Sequence, residues 1–147
     1  MKKTIQAIMK TAILISGALL LSACQSVQNE TTLYDELGGL PAIEKIVDGF
    51  IYEVGFDEQI VQHFEQTDLD RFRSKLIEQI CEVSDGPCQY SGDSMLDVHA
   101  NMDINESEFN RTVDLLIMSM EKHGIPQTTQ NKLLSRLAPL RPDIIYH

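Results

Sequence analysis

No stretch of this sequence alternates apolar and polar residues for more than a few positions, so it gives no sign of a β-sheet. It also lacks a glycine-rich phosphate loop, a flavin or nicotinamide fingerprint, a serine–histidine–acid set and a close carboxylate pair. Those absences argue against hydrolysis, phosphoryl transfer and self-contained redox turnover. Positive charge is scarce, with 12 lysines and arginines against 22 acidic residues and a net charge of −10. Such a surface repels phosphate backbones, so nucleic acid is not an expected partner. Cysteine is limited to three residues with no CxxC pair, and a structural zinc held by two cysteines and His99 is disfavoured. Internal repeats and low-complexity segments are absent as well.

What is present begins with a leader. Lys2, Lys3 and Lys10 give a basic start, and an apolar run from Ala12 to Leu21 follows. The run is shorter than the roughly 20 residues a membrane span needs, but suits the apolar core of a secretory signal. It ends in Leu21-Ser22-Ala23-Cys24, which resembles a bacterial lipoprotein processing box. That resemblance implies cleavage of residues 1–23, lipid on Cys24 and a place in the cell envelope, the alternative being an ordinary cleaved signal with an incidental cysteine. Gln25 then points to the outer membrane if the cell has two. Loss of the leader removes three lysines and no acid, leaving 124 residues with 9 basic and 22 acidic side chains. So acidic a domain would hold to a membrane by its acyl chain rather than by a basic face. In an oxidising compartment Cys81 and Cys88 either pair across a short loop or stand as separate thiols.

Residues 24–32 are polar and aperiodic and read as a tether. A short helical turn at 33–37 ends at Gly38-Gly39, where positive φ permits a sharp turn. Beyond Pro41, the spacing of Ile43, Ile46, Val47, Phe50, Ile51 and Val54 predicts an amphipathic helix to residue 54, with Gly49 where another helix approaches closely. Residues 57–64 form a shorter helical piece with Ile60, Val61 and Phe64 inward. Thr67 and Asp70 resemble a capping box opening a helix over 68–83, whose stripe is Leu69, Phe72, Leu76, Ile80 and Val83. A loop of about ten residues follows, long enough to suggest a functional role. Asn105 and Glu108 predict a capped helix start, Gly124 its end, and Leu133, Leu134, Leu137 and Leu140 a last helix over 127–138 that ends at Pro139 to Pro142.

Between the loop and the Asn105 cap lies Met95-Leu96-Asp97-Val98-His99. A neutral imidazole is a strong ligand for iron or zinc, though a lone histidine on a short helix is more commonly packed or capping. Three features favour a ligand here. Arg71, Arg73 and Lys75 rim an apolar helical stripe, as would suit a flat apolar molecule with acidic edges. The long loop leaves space beside His99, and the capped helix after it fixes its backbone. The other histidines have plainer readings: His63 at a pocket edge or in solvent, His123 at a helix C-terminus, and His147 at a loose chain end.

Residues Leu33-Tyr34-Asp35-Glu36-Leu37-Gly38-Gly39, Ala42-Ile43, Phe50, Phe64, Lys75, Tyr90-Ser91-Gly92, Met95, Val98-His99, Ile104, Phe109, Gly124-Ile125-Pro126 and Leu137-Ala138-Pro139 form an ordered set. With them the chain resembles the truncated globins, most nearly their first group, over residues 33–143. The resemblance implies an all-α fold, a shortened two-over-two helical sandwich around haem b (iron protoporphyrin IX). His99 would be the proximal iron ligand through Nε2, Phe64 would stack on the porphyrin, Lys75 would meet a propionate, and Met95 and Val98 would line the proximal side. Oxygen, nitric oxide or carbon monoxide would be the gas ligand for transport, sensing or scavenging, and slow nitric oxide dioxygenation would need a separate reductase. Where many group members have a tyrosine after the phenylalanine, this chain has Ile51, with Tyr52 one residue on. The implied distal pocket is therefore Ile51, Tyr52, Phe72 and Leu76, with Tyr52 turned by about 100° from the family position and Lys75 as an alternative sixth ligand. Two other functions stand beside this one: a cofactor-free envelope-anchored interaction module, and a haem storage or delivery lipoprotein.

Overall fold

The computed structural model describes residues 31–147. The leader, Cys24 and the tether up to residue 30 lie outside the described residues. Within them the chain is all-helical: α1 (Leu33–Leu37), α2 (Leu40–Gly55), a 3-10 turn (Val61–Phe64), α3 (Leu69–Val83), α4 (Met95–Val98), α5 (Glu106–Lys122), α6 (Gln127–Leu137) and a C-terminal 3-10 segment (Ala138–Asp143). Helices α2 and α3 form one layer and α5 and α6 the other, with α2 crossing α5 and α3 meeting α6. None of these helices is long and apolar enough to cross a membrane.

Thr32 belongs to the fold rather than to the tether. Its hydroxyl accepts from the Asp35 amide, and the Asp35 carboxylate accepts from the Thr32 amide, a reciprocal cap on α1. The α2 stripe is buried as its periodicity requires, with Ile43, Ile46, Val47, Phe50 and Val54 all in the core. At the crossing with α5 the backbones come close. Ser119, fully buried, donates to the Ile46 carbonyl at 2.6 Å. A Cβ on Gly49 would overlap Ser119 Oγ and lie 2.8 Å from His123 Cε1.

Helix α3 departs from expectation in two ways. Its cap is Asp68, which accepts from the Arg71 amide, and not Thr67. Its buried residues are Ile77, Ile80 and Cys81, whereas Leu69 is exposed and Phe72 and Leu76 are only half-buried. The N-terminal part of the predicted stripe thus faces something other than the dense core, while Ile80 lies in the core as expected. Val61 is likewise exposed rather than inward.

Cys81 and Cys88 are joined as a disulfide, with Cα atoms 5.7 Å apart, tying the end of α3 to the loop that follows. Closing so short a loop constrains the unfolded chain by about 2 kcal/mol. Cys88→Ser is expected to lose that amount, and a reductant to lower the wild-type urea midpoint to that of the variant. A midpoint indifferent to reductant would show that the bridge contributes nothing.

Candidate functional site

The half-buried face of α3 borders a cavity of about 660 Å³. Phe50 comes from α2, Phe64 from the 3-10 turn, Phe72, Lys75 and Leu76 from α3, and Met95, Val98 and His99 from the α4 segment. The far walls are Phe109, Val113 and Leu116 of α5, Leu134 and Leu137 of α6, and Leu140 and Ile144 of the tail. Seven residues singled out in the sequence (Phe64, Phe72, Lys75, Leu76, Met95, Val98 and His99) therefore share one space.

His99 closes the short helix α4. Its Nδ1 lies 2.8 Å from the Met95 carbonyl, which makes Nδ1–H the donor and leaves Nε2 with its lone pair. Burial lowers the imidazole pKa, outweighing the opposing pull of the Met95 hydrogen bond, so the ring is neutral at neutral pH. The backbone beyond it is pinned. Asn101 and Asp103 take positive φ, a region these residue types tolerate. The Asp103 amide donates to the His147 carbonyl at 2.7 Å, and the Tyr146 amide to Ile104 at 2.9 Å. The chain end is thus bonded in place, not loose, and the fold runs beyond residue 143.

Phe64 is positioned by Asp57. One carboxylate oxygen of Asp57 accepts from the amides of Gln59 and Ile60, both at 3.1 Å, and the other from Arg111 at 2.6 Å. Burial pushes this carboxyl up, but the Arg111 and backbone donors outweigh it and hold its pKa below the usual value. The Phe64 ring then meets Phe72 edge-on at 5.0 Å, and Phe72 lies 6.4 Å from Phe50.

The cations divide. Lys75 Nζ reaches both Glu78 oxygens at 2.9 Å and Ser91 Oγ at 2.6 Å, at the cavity rim. Arg71 also borders the cavity and bonds Asp93 at 2.8 Å. Arg73 does not join them, because its guanidinium is paired with Asp48 of α2. Lys75 together with the Ser91 amide and hydroxyl lowers the Glu78 pKa from 4.5 to about 2. Since the folded pKa is depressed, this contribution to stability is complete above pH 4.5 and lost as pH falls towards 2. Glu78→Gln is expected to flatten the acid limb of the stability–pH curve in that window; an unchanged slope would show that the cluster is solvated.

Two expected distal residues are placed otherwise. Tyr52 is 61% exposed and packs on Phe56 at 4.8 Å, so it does not enter the cavity. The single-residue step along α2 turns it outward. Ile51 lines a separate cavity of about 150 Å³ with Val54, Val61 and Leu69, which shares Phe64 and Phe72 with the larger one. Phe50 takes the α2 position in the main cavity instead. His63 is not a lining residue; its Nε2 lies 3.1 Å from Glu108. Leu140 continues the predicted stripe of the last helix into the cavity lining from the 3-10 segment. Tyr90 and Ile144 line the cavity without having been expected there, because they lie in the loop and tail, where no periodicity marks an inward side.

Among the described residues no three His, Cys, Asp or Glu side chains converge on a point that could hold a bare ion. One imidazole in an apolar space suits a metal that brings its remaining ligands with it.

The family profile described as bacterial-like globin matches residues 32–146. A group 1 truncated hemoglobin of Mycolicibacterium paratuberculosis is 32% identical over 113 residues, spanning 77% of this chain and 83% of that one. One from Nostoc commune is 29% identical over 78% of this chain and 98% of its own. Among solved structures, the Fe(III) form of truncated hemoglobin from Tetrahymena pyriformis superposes with a TM-score of 0.76 at 24% identity, over 79% of this chain and 99% of that one. The 2/2 hemoglobin of a Synechococcus species, solved in the cyanomet state with covalently attached heme, gives 0.72 at 21% identity, over 78% and 98%.

Proposed function

The chain belongs to the bacterial-like globin family, and from that membership and the cavity we propose that it is a truncated hemoglobin that holds haem b through His99 and binds diatomic gases. One observation carries the reading: the Nδ1–H bond to Met95 leaves Nε2 of a neutral imidazole as the free donor atom at a large apolar cavity. The residues present fit the group. The volume lies within the range of about 300–1,000 Å³ usual for ligand sites. The walls are aromatic and aliphatic, and Lys75 and Arg71 at the rim suit carboxylate edges.

When bound, the haem supplies a ferrous iron that takes oxygen, nitric oxide or carbon monoxide reversibly. The protein's part is to orient one imidazole, exclude water from both faces with Phe50, Phe64, Phe72, Leu116 and Leu137, and meet the propionates with cations. Lys75 would leave Glu78 for a propionate or share itself between the two. Any turnover beyond binding would draw electrons from a separate reductase. Attachment to the cell envelope through lipid on Cys24 belongs to the same proposal and rests on the processing-box sequence.

Titration of the purified protein with hemin, followed by visible absorption, tests the reading. A saturable one-to-one spectrum is expected. A protein that folds but leaves the hemin spectrum as in buffer would favour a cofactor-free interaction module.

A further inference from the structure

We infer that the cavity selects among diatomic gases by offering no hydrogen bond to a polarised one, so that it keeps carbon monoxide and nitric oxide and releases oxygen quickly. The inference rests on the haem reading above. On the α2 and α3 walls the apolar residues are Phe50, Phe72 and Leu76, none of which carries an N–H or O–H, and the donors of α3 in the lining are Arg71, Lys75 and Gln79. Arg71 bonds Asp93, and the other donor side chains of the lining apart from Thr67 are engaged as well. Gln79 Nε2 donates to Met95 Sδ at 3.4 Å, Thr112 Oγ1 to the Glu108 carbonyl at 2.9 Å, and Tyr90 OH to the Asp93 carbonyl at 2.8 Å. Lys75 is held by Glu78 and Ser91. The tyrosine of α2, Tyr52, lies outside against Phe56.

The neighbouring small cavity gives water little hold. The 150 Å³ cavity, which shares Phe64 and Phe72 with the larger one, has Ile51, Val54, Val61 and Leu69 among its walls. Glu65, an exposed residue, is the one polar side chain of that lining, and a water needs two to four polar partners to be held. Oxygen on ferrous haem draws electron density towards itself and gains from a donor; carbon monoxide gains far less. A hydrogen bond of ordinary strength slows the loss of a polarised ligand by about tenfold.

The test uses the full-length haem-loaded protein, reduced, with carbon monoxide and oxygen as probes. Two readouts are taken: the C–O stretching frequency and the oxygen dissociation rate. The wild type is expected to show one high-frequency stretch and fast oxygen loss. Leu76→Gln places an amide in the pocket; it is expected to lower the stretch and slow oxygen loss tenfold or more, with little change in carbon monoxide loss. Phe72→Gln, on the same α3 wall, serves the same purpose if Leu76→Gln does not fold. Thr67→Val, removing a hydroxyl at the cavity edge, is expected to leave both readouts unchanged. The inference is overturned if the wild-type stretch already lies at the Leu76→Gln frequency, if wild-type oxygen loss is as slow as in that variant, or if Thr67→Val accelerates it. Formation of a carbon monoxide–haem spectrum separates the two layers of the account: with it, haem binding stands whatever the rates show; without it, both fall.

Discussion

His99→Gly is expected to weaken hemin binding by more than about 100-fold and to abolish the one-to-one spectrum at micromolar protein. Loss of a partner behind a metal ligand already costs about 10–100-fold, and loss of the ligand itself must cost more. The cavity would survive the change, because His99 is half-buried at the end of a four-residue helix and belongs to no part of the dense core. Free imidazole should therefore enter the vacated space and restore the spectrum. Retention of the wild-type spectrum by His99→Gly would exclude this histidine as the ligand. Failure of imidazole to rescue a folded variant would point instead to a role in packing.

A second large effect is expected at Gly49, which is not part of the cavity lining. Gly49→Val places a branched side chain where α5 leaves no room, and overpacking of this kind costs about 1–3 kcal/mol. Gly49→Ala should cost less, since alanine regains about 1 kcal/mol of helix propensity. What remains comes from displacing the Ser119 hydroxyl from the Ile46 carbonyl. The two changes are thus coupled: Gly49→Ala is expected to be milder in a Ser119→Ala background, measured as a double-mutant cycle in urea. Additive effects would mean that the helices part at the crossing rather than press on that hydroxyl.

The layering of the fold was legible where a helix packs on another helix. The period of Ile43, Ile46, Val47, Phe50 and Val54 gave the buried face of α2, and Gly49 marked the crossing. The same reasoning placed Ile80 of α3 but misjudged Phe72 and Leu76, because an apolar stripe lining a cavity has the periodicity of one lining a core. Phe72 and Leu76 face the cavity while Ile77, Ile80 and Cys81 fill the interior beside them. Direction was harder to read than identity. Arg73 sits among cations in sequence, but Asp48 on the neighbouring helix turns it away from Arg71 and Lys75. Tyr52 shows how far one residue matters on a helix, carrying a hydroxyl out of the pocket and leaving Ile51 and Phe50 behind. Tyr90 and Ile144 had no such signal, since they lie in a loop and a tail without periodicity, the tail being held by the bond from the Tyr146 amide to Ile104.

A crystal structure of the protein grown with hemin tests the central claim most directly. The account predicts Nε2 of the His99 ring on the iron, with Nδ1 still bonded to the Met95 carbonyl and the porphyrin between Leu76 and the α4 segment. An imidazole at 99 turned out to water, with the iron held by His63, by Lys75 or by no side chain, would contradict it.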